Sequence, residues 1–364
     1  MLQLDSKIYF WGGNMKKILA LLLAFVMVLS LSACGETNTD KPATEENGEG
    51  NEETTSSAIT KIGLGVVVDL SKSKADDNGA AAQSDATIAG VAFDADGKIV
   101  KAIIDVAQDK VAVTDGVYEK VEGFKSKKEL GPEYGMKEAS ANGGIGKEWD
   151  EQATFFEEYI VGKTADEVAG LAVDETTKPT DADLLAGATI HIGTFQEAVK
   201  KAWDNAVEAP AAEKLGLGIA SGLGRSSDAD AEKGASVTFE DVISLVALDS
   251  DGKVVASITD IAQNNVKFTV DGMLDGEYAA GTTKKELGSN YGMKEASANG
   301  GIGKEWDEQA AAYDAYLVGK TADEVKAIDL DENGVATDAD LVAGATISVT
   351  DFKLATEEAL ANVQ

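Results

Sequence analysis

The chain has very few of the residues on which disulfide, zinc and hydrolytic chemistry depend: its 364 residues include one cysteine and one histidine. A single cysteine excludes an intramolecular disulfide. One cysteine and one histidine cannot form the clusters that hold structural zinc. The lone histidine, His191, has Ser348 as its counterpart in an internal repeat described below. We therefore expect no Ser-His-Asp chemistry shared by both copies of the repeat.

Positive charge is also scarce. The 32 Lys and Arg residues face 64 Asp and Glu residues, for a formal net charge of −32. This balance argues against a nucleic-acid partner and against polybasic contact with anionic lipid, because both need clustered cations. We interpret the acidity as a solvated, mutually repelling surface, with a docking field for a cationic partner as the alternative.

The longest apolar run, Ile18–Ala33, has sixteen residues and is too short to span a bilayer, which takes about 20 residues in a helix. Met15-Lys16-Lys17 precedes it, and small residues follow it, as in a secretory signal. We expect Met15 to be the start codon and residues 1–14 to be an upstream extension. Residues 1–33 are thus assigned to that extension and the signal peptide.

The signal ends in Leu31-Ser-Ala-Cys-Gly35, which resembles a bacterial lipobox. The resemblance implies that Cys34 is lipidated and anchors the chain on the outer face of the cytoplasmic membrane. An ordinary signal peptide with a chance cysteine is the alternative. The segment after Cys34 is polar and acidic, so we assign residues 34–58 to the lipidated cysteine and a flexible tether.

The remainder of the chain contains an internal duplication. Residues 134–153 are identical to 291–310, and residues 161–168 are identical to 318–325. The offset between the copies is about 150 residues, far longer than a solenoid repeat. We predict two tandem domains, at 59–207 and 213–364, joined by a short linker at 208–212.

Each half is predicted to have the same α+β fold, a small antiparallel sheet packed with helices. Asp-Gly turns between apolar runs are typical of hairpins. The predicted strands are 62–69, then 89–93 and 99–105 around the turn Asp94–Gly97, and in the second half 242–248 and 254–260.

Two helices are predicted in each half from apolar residues at spacings of three and four. The first covers residues 147–160, with Trp149, Ala153, Phe156 and Ile160 on one face, and its counterpart carries Trp306, Ala310, Tyr313 and Leu317. The second helix carries Phe195, Val199 and Trp203. This helix is expected to follow Thr189, and Thr194 and Glu197 have the spacing of a capping box at its start.

The motif D-x-x-A-G-A-T occurs once near the end of each half, as Asp183–Thr189 and Asp340–Thr346. A threonine that follows Gly-Ala has a hydroxyl with little bulk beside it. Such a loop suits an enzyme that must bring the hydroxyl into its own active site. The alternative is a small-residue turn that leads into a helix.

This paired motif resembles the attachment site of the FMN-binding domain family, and the whole mature chain resembles its two-domain flavinylated lipoproteins of extracellular electron transfer. The resemblance implies that Thr189 and Thr346 carry FMN through phosphoester bonds. A separate magnesium-dependent flavin transferase would use FAD as donor and release AMP. The other motif residues would form the recognition loop: Gly187, Ala188, Gly344 and Ala345, with Asp183 and Asp340 as positioning groups. One departure is alanine at 186 and 343, where the family often has Ser or Thr.

The identical twenty-residue block is our hypothesis for the pocket of the flavin ring. Aromatic and apolar side chains would stack on or cover a flat ring system. The candidates are Tyr134, Met136 and Trp149 with Asn142, Gly143, Gly144 and Gly146, and in the second half Tyr291, Met293 and Trp306. The block does not contain the G-x-G-x-x-G fingerprint of a dinucleotide fold. A domain core shared by both halves is the alternative.

One segment of the second half matches most of a calcium-binding loop. It places Asp329, Asp331, Asn333 and Asp340 at loop positions 1, 3, 5 and 12, with Gly334 at position 6. The equivalent segment of the first half lacks this pattern. An Asx-rich turn is the alternative, and no other metal site is expected.

Taken together, these features predict a lipid-anchored extracellular electron carrier with two covalent FMN groups. Its expected partners are a flavin transferase, a membrane quinol-linked electron donor and an extracellular acceptor such as ferric iron. Two alternatives remain: a non-redox tandem lipoprotein that binds the cell wall or another ligand through structural Gly-Ala-Thr turns, and a substrate-reducing enzyme. The last would need a pocket with an acid or base, and no residue of the sequence stands out for that role.

Overall fold

The computed structural model describes residues 58–76, 79–140, 144–297 and 301–364. The described residues belong to one compact unit that includes both copies of the repeat. The upstream extension, the signal peptide, Cys34, nearly all of the tether, Asn142 and Gly143 lie outside the described residues.

The first half has an antiparallel sheet followed by helices. Its strands are β1 (Ile59–Asp69), β2 (Lys74–Asp76), β3 (Gly79–Phe93), β4 (Ile99–Thr114) and β5 (Val117–Tyr118). Its helices are α1 (Lys127–Leu130), α2 (Met136–Ser140), α3 (Trp149–Ile160), α4 (Ala165–Ala169), α5 (Ala182–Leu185) and α6 (Gly193–Asp204), with a 3₁₀ turn at Gly131–Tyr134.

The second half repeats most of these elements in the same order. Strand β6 (Val207–Ala212) lies between the halves, and the strands of the second half are β7 (Lys214–Leu223), β8 (Ser236–Leu248) and β9 (Val254–Lys267). Its helices are α7 (Lys284–Leu287), α8 (Met293–Ser297), α9 (Trp306–Leu317), α10 (Ala322–Lys326), α11 (Ala339–Val342) and α12 (Thr350–Ala361), with a 3₁₀ turn at Gly288–Tyr291. The α+β class is therefore confirmed.

The strands form two sheets. The first has the order β5-β4-β3-β1-β6, with β2 also paired to β3, and the second has the order β7-β8-β9. Strand β6 pairs with β1 and contains residues 208–212, which the sequence analysis assigned to a linker. The segment between the halves is thus an edge strand of the first sheet.

The central hairpins are longer than the sequence pattern predicts. Strands β3 and β4 pair from Ala80↔Val113 to Ala92↔Lys101, well beyond the predicted 89–105. The extra residues include buried polar side chains such as Ser84 and Asp109, which interrupt the apolar pattern. Periodicity alone therefore recovered only the turn-proximal part of each hairpin.

The two sheets share one apolar core, because side chains of β1, β3 and β4 pack with those of β7, β8 and β9. The opposite face of the first sheet is covered by α3 and α6, and that of the second by α9 and α12. The layers are thus helices, sheet, sheet and helices.

The helices α6 and α12 lie very close to the first strand of each half. A Cβ at Gly63 or Gly65 would clash with the carbonyl oxygens of Ala202 or Ala198 in α6. Gly216 and Gly218 have the same relation to α12. These glycines of the repeated K-[IL]-G-L-G segment therefore allow the helix backbone to touch the strand backbone.

Helix α3 begins at Trp149, two residues after its predicted start, and the Glu148 N–H donates to the Glu151 carboxylate at 2.7 Å. A helix follows Thr189 as predicted, but Thr194 does not cap it. The helix begins at Gly193, and Thr194 lies in its first turn, where its Oγ1 accepts a hydrogen bond from Thr87. The capping-box spacing did not predict the cap because the Thr194 hydroxyl is hydrogen-bonded to Thr87 of β3.

Within the described ranges, no helix has the length and apolar character needed to cross a membrane.

Candidate functional site

Thr189 lies in the loop between α5 and α6, and short-range hydrogen bonds cap the N-terminus of α5, the helix before that loop. The Asp181 carboxylate accepts from the N–H groups of Asp183 and Leu184, each at 3.0 Å, and so caps α5. Asp338 caps α11 in the same way through the Asp340 N–H at 2.9 Å. Asp183 and Asp340 are exposed at the first turn of each helix.

Each motif threonine makes two hydrogen bonds to one glutamine of the preceding long helix. The Thr189 N–H donates to Gln152 Oε1 at 2.9 Å, and its hydroxyl donates to the same atom at 3.2 Å. Thr346 makes the same bonds to Gln309 at 2.9 and 3.4 Å. Because a backbone N–H can only donate, the glutamine oxygen must face the threonine.

The amide nitrogen of each glutamine is hydrogen-bonded as well. Gln152 Nε2 donates to Met136 Sδ and to the Lys147 carbonyl, both at 3.3 Å. Gln309 Nε2 donates to Met293 Sδ at 3.3 Å and to the Lys304 carbonyl at 3.4 Å. The threonine hydroxyl is therefore oriented by a fixed acceptor, and each threonine is a partly exposed residue.

The small residues before each threonine have a packing role. Ala188 is fully buried and Ala345 is 1% exposed, so both belong to the core. A Cβ at Gly187 would overlap the Phe155 ring of α3, and one at Gly344 would lie 2.6 Å from Ala312 Cβ in α9. Gly-Ala thus lets the loop lie directly on the helix that carries the glutamine.

Two adjoining clefts open beside Thr189. The larger has a volume of 660 Å³ and is lined by Thr189, Gln152 and Gly144 among others. The smaller has a volume of 440 Å³ and is lined by Tyr134, Trp149 and Lys127. Both include Met136, Ile190 and His191. The block 134–153 therefore lines these clefts, although Trp149 is only 3% exposed and also packs edge-on against Phe195 at 6.0 Å.

A lysine lies over the aromatic pair in both halves. Lys127 Nζ is 5.0 Å from the Tyr134 ring centroid and 5.3 Å from that of Trp149. Lys284 is 5.2 Å from Tyr291 and 5.4 Å from Trp306. These are distances at which a cation is attracted to a ring face. Each half therefore places a positive charge beside its tyrosine and tryptophan.

A buried aspartate holds the short helix that carries each lysine. Asp105 accepts from the Ser126 hydroxyl at 2.6 Å and the Lys128 N–H at 3.0 Å, and Asp260 accepts from the Lys285 N–H at 3.0 Å. Burial raises the pKa of the Asp105 carboxyl and raises that of Asp260 to about 6, while these hydrogen bonds act in the opposite direction.

Sequence reasoning missed four of these residues: Gln152, Gln309, Lys127 and Lys284. The signal was present, because both glutamines lie in the identical block and both lysines begin a repeated Lys-Lys-Glu-Leu segment. His191, which the sequence analysis set aside, lines both clefts and hydrogen-bonds the Thr176 carbonyl through Nδ1.

The candidate calcium loop contains a tight turn in which the Asp331 carboxylate accepts hydrogen bonds from backbone N–H groups. Asp331 Oδ1 accepts from the N–H groups of Asn333 and Val335 at 2.8 and 2.9 Å. Asp174 makes the same turn in the first half, through Thr176 and Lys178. In the part of the chain that the structure describes, no group of three or more His, Cys, Asp or Glu is arranged to hold a metal ion. An Asx turn accounts for the segment in both halves.

Comparison with known proteins shows that part of the chain is similar to part of a curated protein. The chain is 36% identical over 141 residues to "Chlorophenol reductase" of Desulfitobacterium hafniense, a match that covers 32% of this chain and 41% of the relative. The chain thus matches about two fifths of that protein's length. No protein-family model matches the chain, and no solved structure matches it.

Proposed function

We propose that this protein is a lipid-anchored extracellular electron carrier with FMN attached covalently to Thr189 and Thr346. It would receive electrons from a membrane quinol-linked donor and pass them to an extracellular acceptor such as ferric iron. The observation that carries this proposal is the matching pair of threonine sites. Each threonine is partly exposed, and its hydroxyl donates to a glutamine that is itself hydrogen-bonded to a methionine.

The two threonine sites share their hydrogen-bonded residues but differ in some of the residues around them. Phe155 and His191 of the first half are replaced by Ala312 and Ser348 in the second. The threonine, glutamine and methionine nevertheless keep their hydrogen bonds. A phosphoester would remove the hydroxyl proton, while the threonine N–H would still bind the glutamine oxygen. The arrangement therefore suits both the free and the modified residue.

The clefts of the first half have a suitable size and lining for an aromatic, anionic cofactor. Organic ligands occupy pockets of roughly 300–1,000 Å³, and the two adjoining clefts measure 660 and 440 Å³. Tyr134, Met136 and Trp149 would provide apolar cover, and Lys127 would provide a positive charge. Bound FMN would supply one- and two-electron transfer, with the protein positioning it and tuning its electronics.

The relative's name supports a redox role only in general terms. It is that of a reductase, which agrees with electron transfer in the aligned portion. Because the match covers less than half of that protein, its substrate is not carried over to this chain.

The test is intact mass and in-gel flavin fluorescence of the mature chain after co-expression with a flavin transferase. We expect two adducts in the wild type, one each in Thr189→Val and Thr346→Val, and none in the double variant. Thr180→Val is the matched control, because Thr180 lines the same cleft without being the acceptor and should leave both adducts in place. A colourless wild type of unmodified mass would favour structural Gly-Ala-Thr turns and the binding-lipoprotein alternative.

A further inference from the structure

Two aspartates lie inside the core between the two sheets. Asp109 of β4 and Asp241 of β8 are both 0% exposed. Along β4, Asp109 lies between Ala107, which packs in the main apolar core between the sheets, and Val111, which packs in a smaller apolar cluster. Along β8, Asp241 lies in the same way between Ile243 and Phe239. The carboxyl groups are therefore enclosed by apolar side chains of both halves.

A serine accompanies each aspartate. Ser84 of β3 is paired with Asp109, and Ser221 of β7 is paired with Asp241. Directly paired residues of antiparallel strands point to the same face, with Cβ atoms about 5 Å apart. Each hydroxyl therefore lies beside its carboxyl group. The Asp109 and Asp241 carboxyl groups are neighbours across the two sheets, so the two pairs meet between them.

These oxygens lack the partners that buried polar atoms normally have. The two carboxyl groups contact each other, and Ser221 contacts Asp241. Among the described residues, however, neither oxygen of either carboxyl group and neither serine hydroxyl has a hydrogen-bond partner of normal geometry. A buried unpartnered charge is strongly unfavourable, so carboxylates at these two positions require a cation or a proton to compensate them.

The fold itself does not require carboxylates at these positions. In the repeat, Asp109 corresponds to Asn264 and Asp241 corresponds to Ala86. Asn264 is hydrogen-bonded through both amide atoms, since its nitrogen donates to the Thr282 carbonyl at 3.4 Å and its oxygen accepts from the Thr282 N–H at 3.1 Å. The acidic pair is thus present at one of the two equivalent intersheet positions.

We propose that Asp109, Asp241, Ser84 and Ser221 form a buried divalent-cation site, with calcium as the ion that fits best. The two carboxylates balance a charge of +2, and their four oxygens with two hydroxyl oxygens supply six oxygen ligands. Calcium takes about 6–8 oxygen ligands in flexible geometry, including bidentate carboxylates, whereas magnesium retains water molecules for which this apolar surround gives little room. The bound ion would link β4 of the first half to β8 of the second.

The test uses the full mature chain, refolded from denaturant either with calcium or with EDTA, because an enclosed ion would enter as the sheets come together. Metal content is measured by elemental analysis and native mass spectrometry after desalting. We expect about one calcium per chain and a melting temperature higher by roughly 5 °C in the calcium-refolded protein.

Variants separate this site from the surface turn at Asp331. Asp109→Asn/Asp241→Asn should lose both the ion and the temperature shift, while Asp331→Asn should keep both. Circular dichroism checks that the double variant folds, and the single variant Asp109→Asn serves if it does not. Calcium lost from Asp331→Asn and retained by the double variant would overturn the proposal. So would a metal-free wild type that melts identically under both conditions, because a shared proton would then satisfy the aspartates.

Discussion

At the scale of single residues, the hydrogen bonds of Gln152 and Gln309 define the two threonine sites. The amide oxygen of each glutamine accepts from a threonine, and its amide nitrogen donates to a methionine sulfur and a backbone carbonyl. Both atoms of the amide group are therefore held, so the group can orient the threonine hydroxyl. A side chain of similar size without the amide would leave the threonine loop unanchored.

We expect Gln152→Leu to lower the initial rate of flavin attachment at Thr189 by about tenfold or more, because small misplacements of a reacting group are costly. Peptide mass spectrometry after timed exposure to transferase would measure each site separately. Thr346 in the same molecule is the internal control, and Gln309→Leu should reverse the pattern. Equal rates at both sites in Gln152→Leu would show that the glutamine has no positioning role.

Thr177 occupies a backbone conformation that β-branched residues rarely adopt. Its φ is +65°, and the equivalent residue of the second half is Gly334 at +75°. We expect Thr177→Gly to raise the free energy of unfolding by about 0.5–1 kcal/mol, net of the greater entropy of the unfolded chain. Denaturant unfolding measures this. Gly334→Thr should have the opposite effect, since its Cβ would also meet the Ser348 and Thr350 hydroxyls.

At the scale of elements, the contact between the first strand and the last helix of each half determines where the threonine loop lies. Helix α6 follows directly after the Thr189 loop and lies against β1 at Gly63 and Gly65. The same relation holds for α12 and β7. Any displacement of either helix would therefore displace its threonine.

Gly65→Ala and Gly218→Ala should each lower the free energy of unfolding by roughly 2–3 kcal/mol, because a Cβ there cannot be accommodated without moving the helix. Gly222→Ala in β7 is the matched control, since a Cβ at that position meets no atom within 4 Å. Chemical denaturation of the three variants provides the comparison. Similar stabilities for Gly218→Ala and Gly222→Ala would contradict the proposed contact.

At the scale of the whole molecule, the two halves contact each other at two equivalent places with different charges. Lys201 of α6 pairs with Glu286 of the second half at 2.7 Å. The equivalent of Lys201 is Glu358 of α12, which lies near Glu129 and Asp105 of the first half. Burial, together with the charges of those acids, raises the pKa of Glu358 to about 7.

This shift predicts a pH-dependent stability. The folded-state pKa lies above the ordinary value of 4.5, so the folded state favours protonated Glu358. Its contribution is complete below about pH 4.5 and is lost as pH rises through 7. Glu358→Gln should therefore be more stable than the wild type at pH 8, and the difference should shrink toward pH 4.5. Paired denaturation curves across this range test it, and a pH-independent difference would rule it out.

Local sequence features were sufficient to predict much of each half. Asp-Gly turns identified the hairpins, apolar spacing identified the helix at 149–160, and both repeated motifs were visible without a structure. These features depend on interactions between residues close in sequence, and they are repeated almost unchanged in the two copies. The α+β class follows from them.

The tertiary structure alone decided which distant residues meet. Polar residues in long strands, such as Ser84 and Asp109, obscured the full length of β3 and β4, and no local pattern places Asp109 beside Asp241. The partnership of Thr189 with Gln152 likewise depends on how a loop lies on a helix. The sequence alone determined the repeat, its hairpins and its candidate attachment residues, because short-range patterns encode them. Packing decided the intersheet acidic pair and the orientation of each threonine, because those contacts exist only once sheets and helices have assembled.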